Sequence, residues 1–416
     1  MTSICVLGLG YIGLPTAAMF ATHGYRVHGY DVNADIVSRL SKGETHIEEP
    51  GLKAFVRDAV HSGKLVPSDR VVASDVYILC VPSPVDHATH EADLSYVVQA
   101  AEGIVPHLKK GDLVILETTV PARTTEDVLI PVLAKSGLDP RRDLKVVHCP
   151  ETVLPGNMIY ELAHNHRVIG GVTEEATRAA RDLYACFVKA EFIETDATTA
   201  EFVKLAENAY RDVNIALANE LALVCRKLGI DSREALRIAR KHPRVHLHEP
   251  GPGVGGHCIP VDPWFIIQQL PTSKVLRAAR DVNDAMPAHV VSLVEEAVHG
   301  LPSPTIAVLG LAYKGNIDDA RESPAIAVVE LLKKRWPDAV LRLHDPYVRK
   351  AGFPTVDLDT ALHQADCVLV LTDHAAYRGL DPRRVKDAVR RRVVVDTRAM
   401  LEPRQWINSG FWVLRV

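Results

Sequence analysis

Apolar and polar positions along this chain follow two rhythms. Short, nearly unbroken apolar runs at residues 3–8, 25–30, 76–81, 113–116, 145–148 and 167–170 are separated by stretches with helical spacing. Runs of this length, apolar on both faces, read as strands buried in a parallel sheet. Their alternation with helices predicts a doubly wound α/β domain. From residue 199 to 228 a helical pattern runs without glycine or proline and would span about 45 Å. Its apolar positions are too many for one face, which predicts burial between domains or between subunits. Helical spacing returns at 232–241 and 274–298. Beyond the linker Leu301-Pro302-Ser303-Pro304, strand-like runs at 305–310, 340–345, 367–371 and 393–396 weakly repeat the first half. Ser323 and Pro324 there read as N-cap and first helical residue. The expected architecture is two Rossmann-like, doubly wound parallel-sheet domains joined by a long central helix, with boundaries at 1–198, 199–300 and 301–416.

The first strand runs into Gly8, Gly10 and Gly13, a helix follows, and the second strand ends at Asp31. In that context the glycines let a pyrophosphate approach a helix N-terminus, where N–H groups and the dipole favour anions. Asp31 would accept hydrogen bonds from an adenosine ribose and repel a 2′-phosphate, which favours NAD over NADP. Ligands of such sheets sit at the carboxyl ends of strands. Three polar or turn-forming groups fall there: residues 81–84, residues 117–121 with Thr119, and Cys149-Pro150-Glu151. The second-half turn, 310–314, lacks the full glycine pattern, but Lys314 and Arg321 beside it could face phosphates.

Composition narrows the class. The chain has 416 residues, 47% hydrophobic and 24% charged, with a net charge of −4, so nothing points to a nucleic-acid surface. No apolar run reaches the length of a membrane span, and the first strand begins too early for a signal peptide. Seven scattered cysteines suit a reducing cytoplasm without a disulfide framework.

One cysteine stands apart. Residues 249–266 place four glycines and several prolines around Cys258, with Asp262 four residues on and an apolar anchor behind. Such a loop can hold a thiol rigidly among bare N–H groups. An inert buried cysteine is the alternative, and a metal site with His246, His248 and His257 is another, although the ligand spacing is wrong for zinc. On the long helix, Lys204 and Asn208 lie one turn apart on one face that Arg211 and Asp212 continue; a solvated polar stripe would look the same.

Six motifs in register resemble the UDP-glucose/GDP-mannose dehydrogenase family over essentially the whole length. They are residues 8–15, Thr118-Thr119-Val120-Pro121, Pro150-Glu151, Glu201 to Lys204 with Asn208, Gly255-Gly256-His257-Cys258 with Asp262, and residues 309–314. The residues around the cysteine resemble the branch that oxidises UDP-N-acetylhexosamines, UDP-N-acetyl-D-mannosamine above all. UDP-N-acetyl-D-glucosamine or UDP-glucose is the alternative substrate. Where the family has an arginine after Pro150-Glu151, this chain has Thr152, so any contact of that arginine is lost or supplied from elsewhere.

The resemblance implies a four-electron oxidation of a sugar C6 alcohol to a carboxylate with two NAD+, through a thiohemiacetal and a thioester on Cys258, for surface polysaccharide synthesis. Lys204 and Asn208 would stabilise the oxyanion, with Lys204 also a candidate base. Glu151 and Thr119 would orient or activate water, and Asp262 would position Lys204 or water. Gly8, Gly10, Tyr11, Ile12, Gly13, Asp31, Pro82, Thr119 and Arg321 would contact NAD. Glu151, Lys204, Asn208, Arg244, Gly255 and Lys314 would contact the UDP-sugar, Arg244 that of a neighbouring subunit. No metal is implied, and a homodimer or a dimer-based oligomer is. A two-electron hydroxy-acid dehydrogenase would leave Cys258 and the second nucleotide fold idle. A non-catalytic nucleotide sensor would need none of the acid, base and thiol positions filled.

Overall fold

The structure is a computed structural model that describes residues 2–86, 88–349 and 352–416. The chain forms two compact units, Met1–Glu207 with Trp264–Pro271, and Asn208–Pro263 with Thr272–Val416.

In the first unit eight strands make one sheet: β1 (Ser3–Leu7), β2 (Arg26–Tyr30), β3 (Leu65–Ser68), β4 (Val76–Leu79), β5 (Leu113–Leu116), β6 (Lys145–His148), β7 (Arg167–Gly171) and β8 (Phe192–Asp196). Their order is β3-β2-β1-β4-β5-β6-β7-β8, so the chain reverses its direction of winding between β1 and β4. Alternate residues of β1 enter opposite cores, Ile4 and Val6 on one face and Cys5 and Leu7 on the other. Both faces are covered, which is why the strands read as unbroken apolar runs. The last two strands depart from the expected parallel sheet, β8 running parallel to a reversed β7. β7 runs antiparallel to β6, with Val147 opposite Gly171 and His148 opposite Gly170. The intervening helix Met158–His164 has seven residues and rises about 10 Å, and the chain re-enters the sheet at the edge it left.

The second unit carries a five-stranded, all-parallel sheet of β9 (Thr305–Leu309), β10 (Val340–His344), β11 (Cys367–Val370), β12 (Val393–Asp396) and β13 (Trp412–Arg415), in the order β10-β9-β11-β12-β13. It too has a core on each face. Ser323 caps the helix Pro324–Arg335, its hydroxyl accepting from the Ala325 N–H.

The long helix, Ala197–Leu228, carries the chain from the first unit into the second. It begins two residues before the periodicity suggested, because Asp196 accepts from both the N–H and the hydroxyl of Thr199 and so serves as the start signal. Among the described residues no helix is long and apolar enough to cross a membrane.

Candidate active site

At the winding reversal of the first sheet, Gly8 adopts φ +88°, and a Cβ there would come within 2.6 Å of the Cys80 carbonyl oxygen. Gly13 packs back on Gly8, while nothing lies within 4 Å of the space a Cβ on Gly10 would fill. Helix Gly13–Thr22 has no side-chain cap on Ile12 and no acid in its first turn. Its positive dipole end is thus left to an anion, while the Leu14 and Thr16 N–H groups already donate to the Gly10 and Ile12 carbonyls. Tyr11 and Ile12 pack half-buried against the core. Asp31 is half-exposed; one oxygen accepts from the Leu9 N–H at 2.8 Å and the other from the Asn33 N–H at 2.9 Å. Each carboxylate oxygen can accept more than once, so the pair suits ribose hydroxyls. An open cradle, an uncapped helix and an available carboxylate fit a dinucleotide.

The loops at the next strand ends are tied to one another. Pro82 is exposed just after β4. Beside it the Ser83 hydroxyl donates to the Thr119 carbonyl at 2.6 Å, and the Thr118 hydroxyl donates to the Val81 carbonyl at 2.9 Å. Thr119 is half-exposed. Following β6, Glu151 accepts from the Val153 N–H on one oxygen and from Lys204 Nζ at 3.2 Å on the other, with both side chains buried. The first unit therefore brings Glu151 and Lys204 together.

Cys258 belongs to the second unit and is exposed, which sets aside the inert buried cysteine. Its carbonyl accepts the Asp262 N–H at 2.8 Å, so the two residues share one helical turn. Buried Asp262 accepts from the Asn208 amide at 2.6 Å. That bond orients the amide, whose second N–H remains a donor. Gly255 is needed for space, since a Cβ there would meet Glu322, Pro324 and Tyr313. Lys314 is half-buried, and Arg321 forks onto Asp319 at 2.7 and 2.9 Å. Burial alone would raise the Asp319 carboxyl, but Arg321 outweighs it and holds it below its ordinary value. Arg244 is exposed, its backbone N–H donating to His242. Among the described residues no three His, Cys, Asp or Glu side chains come together as a metal site.

The polar stripe on the long helix is not solvated. Lys204, Asn208 and Asp212 are all buried, and Asp212 pairs with the buried Arg280 at 2.6 Å. Asn283 donates to Asp212 and accepts from Asn219, whose carbonyl oxygen takes the N–H of Gly251 at the base of the cysteine loop. Three polar residues at i, i+4 and i+8 in an apolar helix were the available signal; Arg280 and Asn283, some seventy positions away, left none. Glu201 stood in a motif without a role. Its carboxylate accepts the N–H groups of Arg123 and Thr125 and the Thr125 hydroxyl at 2.5–2.7 Å. Arg123 sits at φ +74°, a strained value for a residue with a side chain, so Glu201 pins the loop that follows Thr119. Burial lifts the Glu201 carboxyl to about 7.

Comparison with known proteins agrees over the whole length. Residues 2–188 match the NAD binding domain of the UDP-glucose/GDP-mannose dehydrogenase family, residues 198–285 its central domain and residues 307–403 its UDP binding domain. The chain is 42% identical to the UDP-N-acetyl-D-mannosamine dehydrogenase of Methanococcus maripaludis, covering 99% of this chain and 96% of that one. It is 44% identical to the NDP-N-acetyl-D-galactosaminuronic acid dehydrogenase of Ralstonia nicotianae, covering 96% of each. The solved UDP-D-ManNAc dehydrogenase of Pyrococcus horikoshii superimposes with a TM-score of 0.94 at 40% identity, covering 100% of this chain and 99% of that one.

Proposed function

The chain belongs to the UDP-glucose/GDP-mannose dehydrogenase family, and from that premise we propose that it oxidises the C6 alcohol of a UDP-N-acetylhexosamine to the carboxylate, with UDP-N-acetyl-D-mannosamine as the first choice of sugar. The observation that carries the reading is the exposed Cys258 thiol at the start of the turn in which Asp262 takes the Asn208 amide. A galacto-configured N-acetyl sugar is the second choice, favoured by the likeness to the Ralstonia protein.

NAD, when bound, supplies the hydride acceptor for each of the two oxidations. The turn Gly8–Gly13 with Tyr11 and Ile12, Asp31, Pro82, Thr119 and Arg321 are the residues assigned to it. Lys204 takes the alcohol proton or stabilises the developing alkoxide, in a buried site where such a charge is strongly felt. The Cys258 sulfur adds to the aldehyde carbon, giving a thiohemiacetal whose loss of a second hydride leaves a thioester. Asn208, its amide fixed by Asp262, donates to the oxyanion. Glu151 and Thr119 direct the water whose attack releases the uronic acid and restores the thiol. Lys314, Gly255 and Arg244 hold the UDP-sugar, Arg244 that of a neighbouring subunit. In this division residues 1–198 bind NAD, 199–300 carry the thiol loop and the dimer contact, and 301–416 bind the nucleotide-sugar.

The product ratio tests the reading. Purified protein given NAD+ and a panel of UDP-sugars should form two NADH per sugar oxidised. One NADH would indicate a two-electron dehydrogenase, and none a nucleotide sensor. Cys258→Ser should form no carboxylate. Glu151→Gln should accumulate a hydroxylamine-sensitive sugar adduct by intact mass, absent when Cys258 is also changed. The exposed apolar stripe Tyr210, Leu217, Val224 and Leu228 along the long helix supports a homodimer or a multiple of one, and light scattering that finds an active monomer at micromolar concentration would rule it out. Seven free cysteines suit a cytoplasmic enzyme.

A further inference from the structure

We infer that Glu117 and Arg167, which no step above uses, are positioning residues whose buried pair holds the carboxyl ends of β4, β5 and β6 in the register needed by the loops bearing Pro82, Thr119 and Glu151. The inference rests on the roles proposed for those three loops.

Cys80, Glu117 and Cys149 are each the first residue past β4, β5 and β6. Pro82, Thr119 and Glu151 each lie two residues further on. All three leading residues meet in one knot. One oxygen of Glu117 accepts from Arg167 Nη1 at 2.9 Å and from the Tyr184 hydroxyl at 3.1 Å. The other accepts from the Cys80 thiol at 3.1 Å and from the Thr16 hydroxyl, on the helix after the glycine turn, at 3.2 Å. Arg167 Nη1 also lies 3.5 Å from the Cys149 sulfur, and its guanidinium stacks 4.3 Å over the Tyr184 ring. Glu117, Arg167, Tyr184, Thr16 and Cys149 are all buried.

Arg167 reaches this edge because β7 is reversed. As the first residue of an antiparallel strand it stands beside the carboxyl end of β6, where a parallel strand would have placed its last residue. Burial pushes the Cys149 thiol up to about 11, and burial with the Glu117 charge pushes Cys80 well above its ordinary value. Both stay protonated, so Cys80 remains a donor to Glu117. A sheet core needs no ion pair: apolar residues of similar volume often replace one without loss of stability. What an apolar pair cannot do is draw three strand ends onto one ion pair, those of β4 and β5 through the carboxylate and that of β6 through the guanidinium.

That contrast defines the experiment. The double variant Glu117→Met with Arg167→Met should fold, with its unfolding temperature lowered only as far as the Tyr184 and Thr16 hydroxyls and the Cys80 thiol lose their acceptor. Its kcat should nevertheless fall about 100-fold, the scale expected when reacting groups move by an ångström, with KM for the sugar changed less than about threefold. In the ligand-free protein, amide exchange at residues 81–83, 118–120 and 150–152 should quicken about tenfold or more, while the strands themselves stay protected. Native exchange in those segments together with near-native kcat would make the pair merely structural and overturn the inference. Should the double variant not fold, Tyr184→Phe decides: faster exchange at 118–120 and a kcat lower by about fivefold support the inference, and native values for both overturn it. The exchange measurement uses no substrate, so a failure of the proposed function, seen as wild-type protein that oxidises no UDP-sugar, is separate from a failure here.

Discussion

Gly8 follows β1 and Gly310 follows β9; both take left-handed φ, +88° and +97°, and each donates its N–H to the last residue of the neighbouring strand, Tyr30 or His344, at 2.8 Å. In each case the next residue is an aspartate. Asp31 is half-exposed and takes one N–H on each oxygen. Asp345 is buried and takes five donors: the N–H groups of Leu311, Ala312, Tyr347 and Val348, and Nε2 of His374 at 2.9 Å. The other His374 nitrogen accepts from the Asn316 N–H, which leaves the proton on Nε2 for Asp345. Two turns of the same design therefore end in opposite chemistry. The first keeps its carboxylate available to hydroxyls; the second spends it on its own backbone, so a nucleotide there has to be held by other groups. Topology places an acid at the strand end, and only its surroundings decide whether that acid is a ligand or a brace.

The largest expected effect breaks the comparison if it fails. Asp345→Ala strands a buried imidazole and four N–H groups and should cost about 3–5 kcal/mol. Asp31→Ala, which takes the acceptor from two N–H groups, only that of Asn33 being exposed, should cost about 1–2 kcal/mol. Denaturant-dependent amide exchange, read segment by segment, separates the two units, and equal losses would mean that Asp345 is no brace.

Acid should separate the units next. His148, at the end of β6, is fully buried with neither ring nitrogen hydrogen-bonded, and burial drives its pKa down to about 3. Because the folded value lies below the unfolded one, its contribution is complete above about 6.5 and is lost as pH falls toward 3. Between pH 8 and pH 5 this amounts to about 2 kcal/mol. His148→Phe should abolish that loss. Asp345 behaves differently over that range. Burial would raise its carboxyl, but His374 and the N–H groups of Val348, Leu311 and Tyr347 outweigh burial and hold it far below the usual carboxylate range. Its contribution is present above the ordinary aspartate value and declines only below it. Glu201 in the same unit, raised to about 7, gains stability over the same window, so the test compares variant with native protein. Between pH 8 and pH 5 His148→Phe should hold exchange around β6 slower than in the native protein and leave β10 unchanged. An identical pH dependence would contradict the assignment.

Cofactor choice sharpens the comparison further. NAD+ should be preferred to NADP+ by about tenfold or more in kcat/KM, and Asp31→Ala should narrow the gap by about 1.4 kcal/mol. Equal use of both cofactors by the native protein would remove Asp31 from the ribose. The smallest effect concerns the two helices after the turns. Helix Pro324–Arg335 is capped by Ser323, and Ser323→Ala should cost about 1 kcal/mol by thermal unfolding. Helix Gly13–Thr22 has no such cap to lose, and Ile12→Ala should leave its start unchanged, since Ile12 offers no side-chain acceptor.

Period and punctuation in the chain were enough to place both sheets apart from the edge strands β3, β8 and β13, the glycine turn with Asp31, the long helix, and Lys204 and Asn208 one turn apart, because each depends on contacts between near neighbours. The motifs also brought Cys258, Asp262, Glu151 and Thr119 into one family pattern. What they left open is the set of partners that each buried charge finds. Glu117 meets Arg167 across 50 positions, Asp345 meets His374 across 29, and Asp212 meets Arg280 across 68. The reversal of β7, the burial of the Lys204–Asp212 stripe and the exposure of Cys258 belong to the same class. Local spacing tells which face a side chain takes. Whether that face is wet, apolar or met by an opposite charge depends on segments far away in the chain, and a buried carboxylate must be satisfied by whichever of them the folded sheets bring within hydrogen-bonding distance.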